Sequence, residues 1–200
     1  IERLEKVNAI PESIVIGISI PGNLWYQHTV ASPNDFRRYL VDELKPYVTR
    51  TYRTLANHFL IGQSYTGVFV LNTLVKRPKA FDTLVAVEPL LTGAEFEKAL
   101  DGFAVEHKTD AKLKIVRADS EFEELGLFYK KVNPHYHPNI ELLHYPHESH
   151  GSVYYPSLNT ELRKHFADYR VLDLKHALSA NFDVKDVRAF YQASAQKYRT

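Results

Sequence analysis

Ser64 stands between an apolar run and a helix-like segment, in Gly62-Gln63-Ser64-Tyr65-Thr66-Gly67. A serine hydroxyl becomes a nucleophile when a base takes its proton and a carboxylate orients that base. A glycine two residues ahead lets a strand and the following helix approach closely, so that the hydroxyl stands clear of the backbone. A helix beginning at Tyr65 offers unpaired N–H groups to an oxyanion, with the amide of Tyr65 as the first donor. The spacing is G-x-S-x-T-G, with Thr66 where a second glycine would suit the turn. Thr66 is small but β-branched, so it crowds the start of the helix. A small residue filling an ordinary strand-to-helix corner is the competing reading of the same six residues.

A base is available in "YPHESHGSVYYPSL", where His150 sits in a loop beyond a strand and is followed by Gly151. His147 competes with it, His144 falls inside the strand, and Glu148 reads as a solvated charge. The carboxylate is sought after an earlier strand, in "DSEFEELG". Asp119, Glu121, Glu123 and Glu124 all qualify by type, and most form the ordinary acidic first turn of a helix. Position at the strand end favours Asp119 or Glu121. The spacing of three among His144, His147 and His150 invites a metal reading, with His135 and His137 as further ligands. Pro146 speaks against the helix that would stack them, and the spacing matches no zinc motif. No metal and no organic cofactor is expected.

The elements that must hold these residues are strands alternating with amphipathic segments. Strands are expected at 13–19, 58–63, 83–88, 113–118 and 140–145, each apolar on both faces as in a parallel sheet covered by helices. Ser32-Pro33 opens a helix over 34–52 that Pro46 should kink or divide. Further helices are expected at 65–77, 94–101 and 121–132. Repeated strand–helix–strand order gives an α/β fold with a mostly parallel sheet. From about residue 157 the pattern is helical only. The organisation is therefore an α/β domain over 1–156 and a helical C-terminal extension over 157–200. In the last helix Val184, Val187, Phe190, Tyr191 and Tyr198 recur at helical spacing, as for a face packed on the domain; an interaction module or a cap over the site is the alternative.

Composition narrows the partners. The 44% hydrophobic and 24% charged content is that of a globular protein, and a net charge of +1 gives no electrostatic case for nucleic acid or an anionic membrane. No apolar run reaches the roughly 20 residues of a membrane span. With zero cysteines there is no disulfide, thiolate ligand or cysteine nucleophile, and the compartment stays open. Zero methionines is unusual for this length.

Three passages together resemble the serine esterases related to esterase D and enterochelin esterase, within the α/β-hydrolases: "DELKPYVTRTYRTLANHFLIGQSYTGVFVLNTLVKRPKAFDTLVAVEP", "KIVRADSEFEE" and "YPHESHGSVYYPSL". The resemblance implies an α/β-hydrolase fold and cleavage of a small-molecule carboxylic ester or thioester through an acyl-serine intermediate. Ser64 would attack, His150 would carry the proton, Glu121 would orient His150, and the Tyr65 amide would form half of the oxyanion hole. It also implies that 13–19 is the family's fourth strand and is not paired with 58–63. The expected natural protein then carries about a hundred more residues ahead of Ile1. Trp25 and Tyr26, in a loop after the first apolar run, and Gln63 and Tyr154, flanking the serine and the histidine, are the candidate substrate contacts. A non-catalytic binding protein on the same fold is the alternative, and a histidine-metal hydrolase the second.

Overall fold

The computed structural model describes residues 1–22, 24–91, 110–119, 125, 127–128, 139–169 and 183–198. Four expected strands form: β1 (Phe59–Gln63), β2 (Thr83–Val87), β3 (Lys112–Ala118) and β4 (Ile140–Tyr145). They make a sheet of order β1-β2-β3-β4 in which every pair is parallel. Parallel pairing brings all four carboxyl ends to one edge, where ligands bind in such sheets. Gln63 lies opposite Val87 there, and Ala118 opposite Tyr145. Whatever follows each strand is thus delivered to the same edge.

The sheet is apolar on both faces because both are covered. Leu84 and Ala86 of β2 face one way, into a core with Val68, Leu71, Leu74, Leu113, Ile115, Leu125 and Phe128. Val85 and Val87 face the other way, against Val116, Ala118 and Val153. All five residues of β2 are buried, as a central strand requires. Each fully buried leucine or valine here contributes on the order of 1.5–3 kcal/mol relative to exposure.

The run 13–19 departs from expectation. It forms no strand with the described residues, and Val15 is 61% exposed. It does not pair with β1, which bonds to β2 alone among the described strands. An apolar run becomes a strand only when a neighbour takes its N–H and C=O groups, and no residue pattern supplies that neighbour.

The helix expected over 34–52 is divided by Pro46, as anticipated. It runs as α-helix over Pro33–Arg38, a π-helical stretch over Tyr39–Leu44 and α-helix again over Lys45–Thr51. Proline lacks an N–H and clashes with the carbonyl four residues back, which the wider turn accommodates. Ser32 precedes this helix but makes no side-chain cap; its hydroxyl accepts from Gln27 Nε2 at 3.1 Å. Buried Arg37 is held by Asn34 Oδ1 at 2.8 Å, Asn72 Oδ1 at 3.0 Å and Thr73 Oγ1 at 3.3 Å.

The chain divides into two compact units, Ser19–Ser157 and Ile1–Ile18 with Leu158–Thr200. The first holds the sheet. In the second, a helix over Val184–Tyr198 is anchored at its end: Tyr198 packs on Phe166 and Tyr169, and its hydroxyl donates to Asp168 at 2.6 Å. The expected apolar stripe of that helix is not a buried face. Val184 and Tyr191 are exposed, Val187 and Phe190 are half-buried, and of the five only Tyr198 is buried. The expected helix over 94–101 and the stretch 170–182 of the helical extension lie outside the described residues, as does most of 121–132; Leu125 and Phe128 of the last are helical and buried.

Candidate active site

The corner at Ser64 is built by three close contacts. Ser64 itself has φ +59° and ψ −123°, outside the regions that L-residues ordinarily occupy. Its N–H donates to Val87 O at 2.9 Å, which clamps the residue to the end of β2. Its carbonyl accepts from Val68 N and from Leu90 N, both at 3.2 Å. A Cβ on Gly62 would lie 2.4 Å from Thr66 O, so the strand can fold back on the helix only with glycine there.

Thr66 belongs to the corner. Its hydroxyl accepts from Gln63 N at 2.8 Å and donates to Gln63 O at 2.7 Å, bracing the residue before the serine. Gly67, one position later than the simple motif has it, serves a different contact. A Cβ there would stand 3.0 Å from Pro89 Cα and 3.2 Å from Val87 O. The helix Tyr65–Lys76 therefore starts against the end of β2, and its first-turn N–H groups have no partner within the helix. Tyr65 supplies the first of them, directly after Ser64.

A cavity of about 300 Å³ opens at this corner, lined by Trp25, Gln63, Ser64, Tyr65 and Thr66. Two of the lining rings, Trp25 and Tyr65, form one cluster with Tyr26. Trp25 lies 4.7 Å from the Tyr65 ring centre, and Tyr26 meets Tyr65 edge-on at 5.3 Å. Trp25 and Tyr26 come from a short helix, Leu24–Tyr26, and Thr29 of the π-helical stretch that follows donates its Oγ1 to Trp25 O at 2.6 Å. The structure thus brings Trp25 to the cavity beside the serine, with Tyr26 packed on Tyr65. Tyr154 packs instead against the core formed by Val85, Val87 and Val153, and burial raises its phenol pKa above the ordinary value.

His150 reaches the same corner. The side-chain amide of Gln63 donates to the His150 carbonyl, tying the histidine loop to the residue before the serine. The His150 ring is partly exposed, and its Nδ1 lies 3.5 Å from Oε2 of Glu88. Glu88 was not singled out from the sequence. It follows β2 directly, is fully buried, and has φ +42°. Its other carboxylate oxygen accepts from Ala118 N, and its own N–H donates to Val116 O at 2.8 Å.

The acids sought after β3 stand elsewhere. Asp119 gives Oδ1 to His144 Nε2 at 2.7 Å and Oδ2 to His147 N at 2.8 Å. These bonds, led by the His147 amide, hold its carboxyl below the ordinary 3.8. Glu121, Glu123, Glu124, His135 and His137 lie outside the described residues. Glu148 accepts from Ser152 Oγ at 2.5 Å. Of the three loop histidines, His144 faces Asp119 and His150 faces Glu88, so they do not converge, and among the described residues no group of three histidine or acidic side chains is placed to hold a metal ion.

Comparison with known proteins gives the family and the fold. A family model described as "Putative esterase" matches residues 2–188. The ferri-bacillibactin esterase BesA of Bacillus subtilis is 30% identical over 107 residues, covering 52% of this chain and 36% of that protein. Among solved structures, an uncharacterised protein from Capnocytophaga ochracea superposes with a TM-score of 0.72 at 15% identity, covering 98% of this chain and 66% of the other. An IroE-like serine hydrolase from Shewanella oneidensis gives 0.64 at 20% identity, covering 96% and 64%. The match spans about a third of the Bacillus relative and about two thirds of these two structures. The fold is that of the α/β-hydrolases.

Proposed function

Because the chain belongs to the Esterase family, we propose that it is a serine hydrolase that cleaves a small-molecule carboxylic ester, or a thioester, through an acyl-serine intermediate. The observation that carries this reading is the backbone of Ser64, held at φ +59° between β1 and the helix Tyr65–Lys76 at the floor of a cavity. Strain of this kind costs on the order of 1–3 kcal/mol and persists where the surrounding structure enforces it.

In this mechanism Ser64 Oγ attacks the substrate carbonyl carbon as its proton passes to the Nε2 of His150. The carbonyl electron pair moves to oxygen, which the Tyr65 amide stabilises. Collapse expels the alcohol or thiol, which takes the proton from His150 and leaves the acyl group on Ser64. Water then repeats the sequence and releases the acid. Trp25, Tyr26 and Tyr65 offer ring faces and edges to the substrate, and Gln63 holds the histidine loop by its side-chain amide. No step requires a metal or an organic cofactor. The name of the Bacillus relative makes siderophore esters the first substrates to assay.

The test is intact mass after exposure to a fluorophosphonate. One adduct on wild type, mapped to Ser64 and absent from Ser64→Ala, is expected, with ester hydrolysis insensitive to a chelator. A folded protein that takes no adduct would overturn the reading and leave the non-catalytic binding protein in its place.

A further inference from the structure

We propose that the positioning carboxylate for His150 is Glu88, at the end of β2, and not an acid following β3. The inference rests on the serine-hydrolase reading and gives His150 its orienting partner.

Three independent features place Glu88 in that role. Its Oε2 lies 3.5 Å from His150 Nδ1, a separation consistent with a hydrogen bond that tightens when substrate arrives. It has 0% exposure, so its carboxylate is satisfied by protein groups, and one oxygen is taken by the Ala118 amide. That bond leaves Oε2 directed at the imidazole. The backbone is held with equal care. Glu88 N donates to Val116 O at 2.8 Å, and φ is +42°, a conformation that a glutamate does not adopt without enforcement.

The location is economical. Ser64 N donates to Val87 O, so the nucleophile is bonded to the residue immediately before the acid. Serine and acid thus share one rigid seam, the β1–β2 edge, and the histidine loop closes over both. Asp119 is excluded by its own bonds, since both its oxygens are engaged by His144 and the His147 amide. With Glu88 accepting from Nδ1–H, the imidazole presents Nε2 to the serine and its positive form is stabilised as the proton arrives.

The experiment compares wild type, Glu88→Gln and Glu121→Gln in the full chain. Gln keeps the volume of Glu88 and an oxygen for Ala118 N, and a thermal melt reports whether the fold is retained. Fluorophosphonate labelling of wild type comes first. No adduct on Ser64 in wild type sinks the hydrolase reading itself. With wild type labelled, Glu88→Gln should lower kcat about 10³-fold with KM nearly unchanged, the signature of lost orientation in the transition state. Labelling and kcat at the wild-type level in Glu88→Gln would overturn the proposal. So would a loss of that size confined to Glu121→Gln. Proton NMR supplies a readout that does not depend on the Glu88 variant folding. A far-downfield His150 Nδ1–H signal should be present in wild type and survive Glu121→Gln, and its disappearance in Glu121→Gln would give the role to Glu121.

Discussion

Thr66 Oγ1 accepts the amide proton of Gln63 at 2.8 Å and donates its own to the carbonyl of the same residue at 2.7 Å. A threonine in a place suited to glycine is thereby a brace across the corner, in which one hydroxyl satisfies two backbone groups that the sharp turn takes out of the sheet. Replacing it with valine keeps the shape and deletes both bonds. Thr66→Val should lose about 1–3 kcal/mol of stability, since two net bonds of about 0.5–1.5 kcal/mol each are involved. Thr66→Ser should retain most of it. Urea unfolding of the two variants measures the difference, and equal losses would show that the methyl group, not the hydroxyl, matters.

The two glycines of the corner should rank differently. A Cβ on Gly62 meets a backbone carbonyl oxygen at 2.4 Å, whereas one on Gly67 meets Pro89 Cα at 3.0 Å. Gly62→Ala must open the corner, and a loss above about 3 kcal/mol is expected, at the severe end for single substitutions. Gly67→Ala requires a shift of a few tenths of an ångström, and about 1–2 kcal/mol is expected. Reversed order in thermal melts would mean that the Ser64 corner relaxes more easily than the helix–strand contact.

Asp119 links the end of β3 to the histidine loop, and its carboxyl is held below 3.8 chiefly by the His147 amide and then by His144. A carboxyl depressed in the folded state binds fewer protons there than in the unfolded chain. Its contribution to stability is therefore complete above the ordinary value and fades as the pH falls through the folded value. Asp119→Asn should be less stable than wild type at pH 7, and the gap should close on acidification below about 3.8. Denaturant midpoints across that range test it; a gap independent of pH would assign the effect to shape.

Tyr198 anchors the last described helix, and burial followed by its bond to Asp168 raises its phenol to about 12. An acid raised in the folded state contributes stability that is present below the ordinary 10.0 and lost as the pH climbs through the folded value. Absorbance titration should show Tyr198 ionising last, behind the ordinary phenols and the raised Tyr154, and Tyr198→Phe should remove that last component. A titration in which every tyrosine ionises together would show that Asp168 does not hold the hydroxyl.

Much of the sheet was legible because each strand is apolar on both faces, a pattern that needs no knowledge of its neighbours. The run 13–19 carries the same pattern and forms no strand with the described residues, because pairing depends on a partner elsewhere in the chain. The placement of Ser64 at a corner and of His150 in a loop beyond a strand was legible from local context. Glu88 was not. It sits in "VEPL", where nothing local marks it, and it meets His150 only because β2 ends beside β1 and the histidine loop reaches that seam. Position after β3 favoured Asp119 or Glu121; the geometry of Asp119 serves His144 instead, and Glu121 lies outside the described residues. Thr66 read as crowding because side-chain size is visible in a sequence and a hydroxyl's reach across a turn is not.

The bond from the Gln63 side chain to the His150 carbonyl joins positions 87 residues apart. During synthesis the strand bearing Ser64 emerges long before the loop that receives this bond. A nascent chain arrested between β1 and β4 can form the corner, yet it has neither the histidine nor the tie that holds it. On the proposed mechanism, Ser64 therefore stays without its base on the ribosome until the loop after β4 has been made.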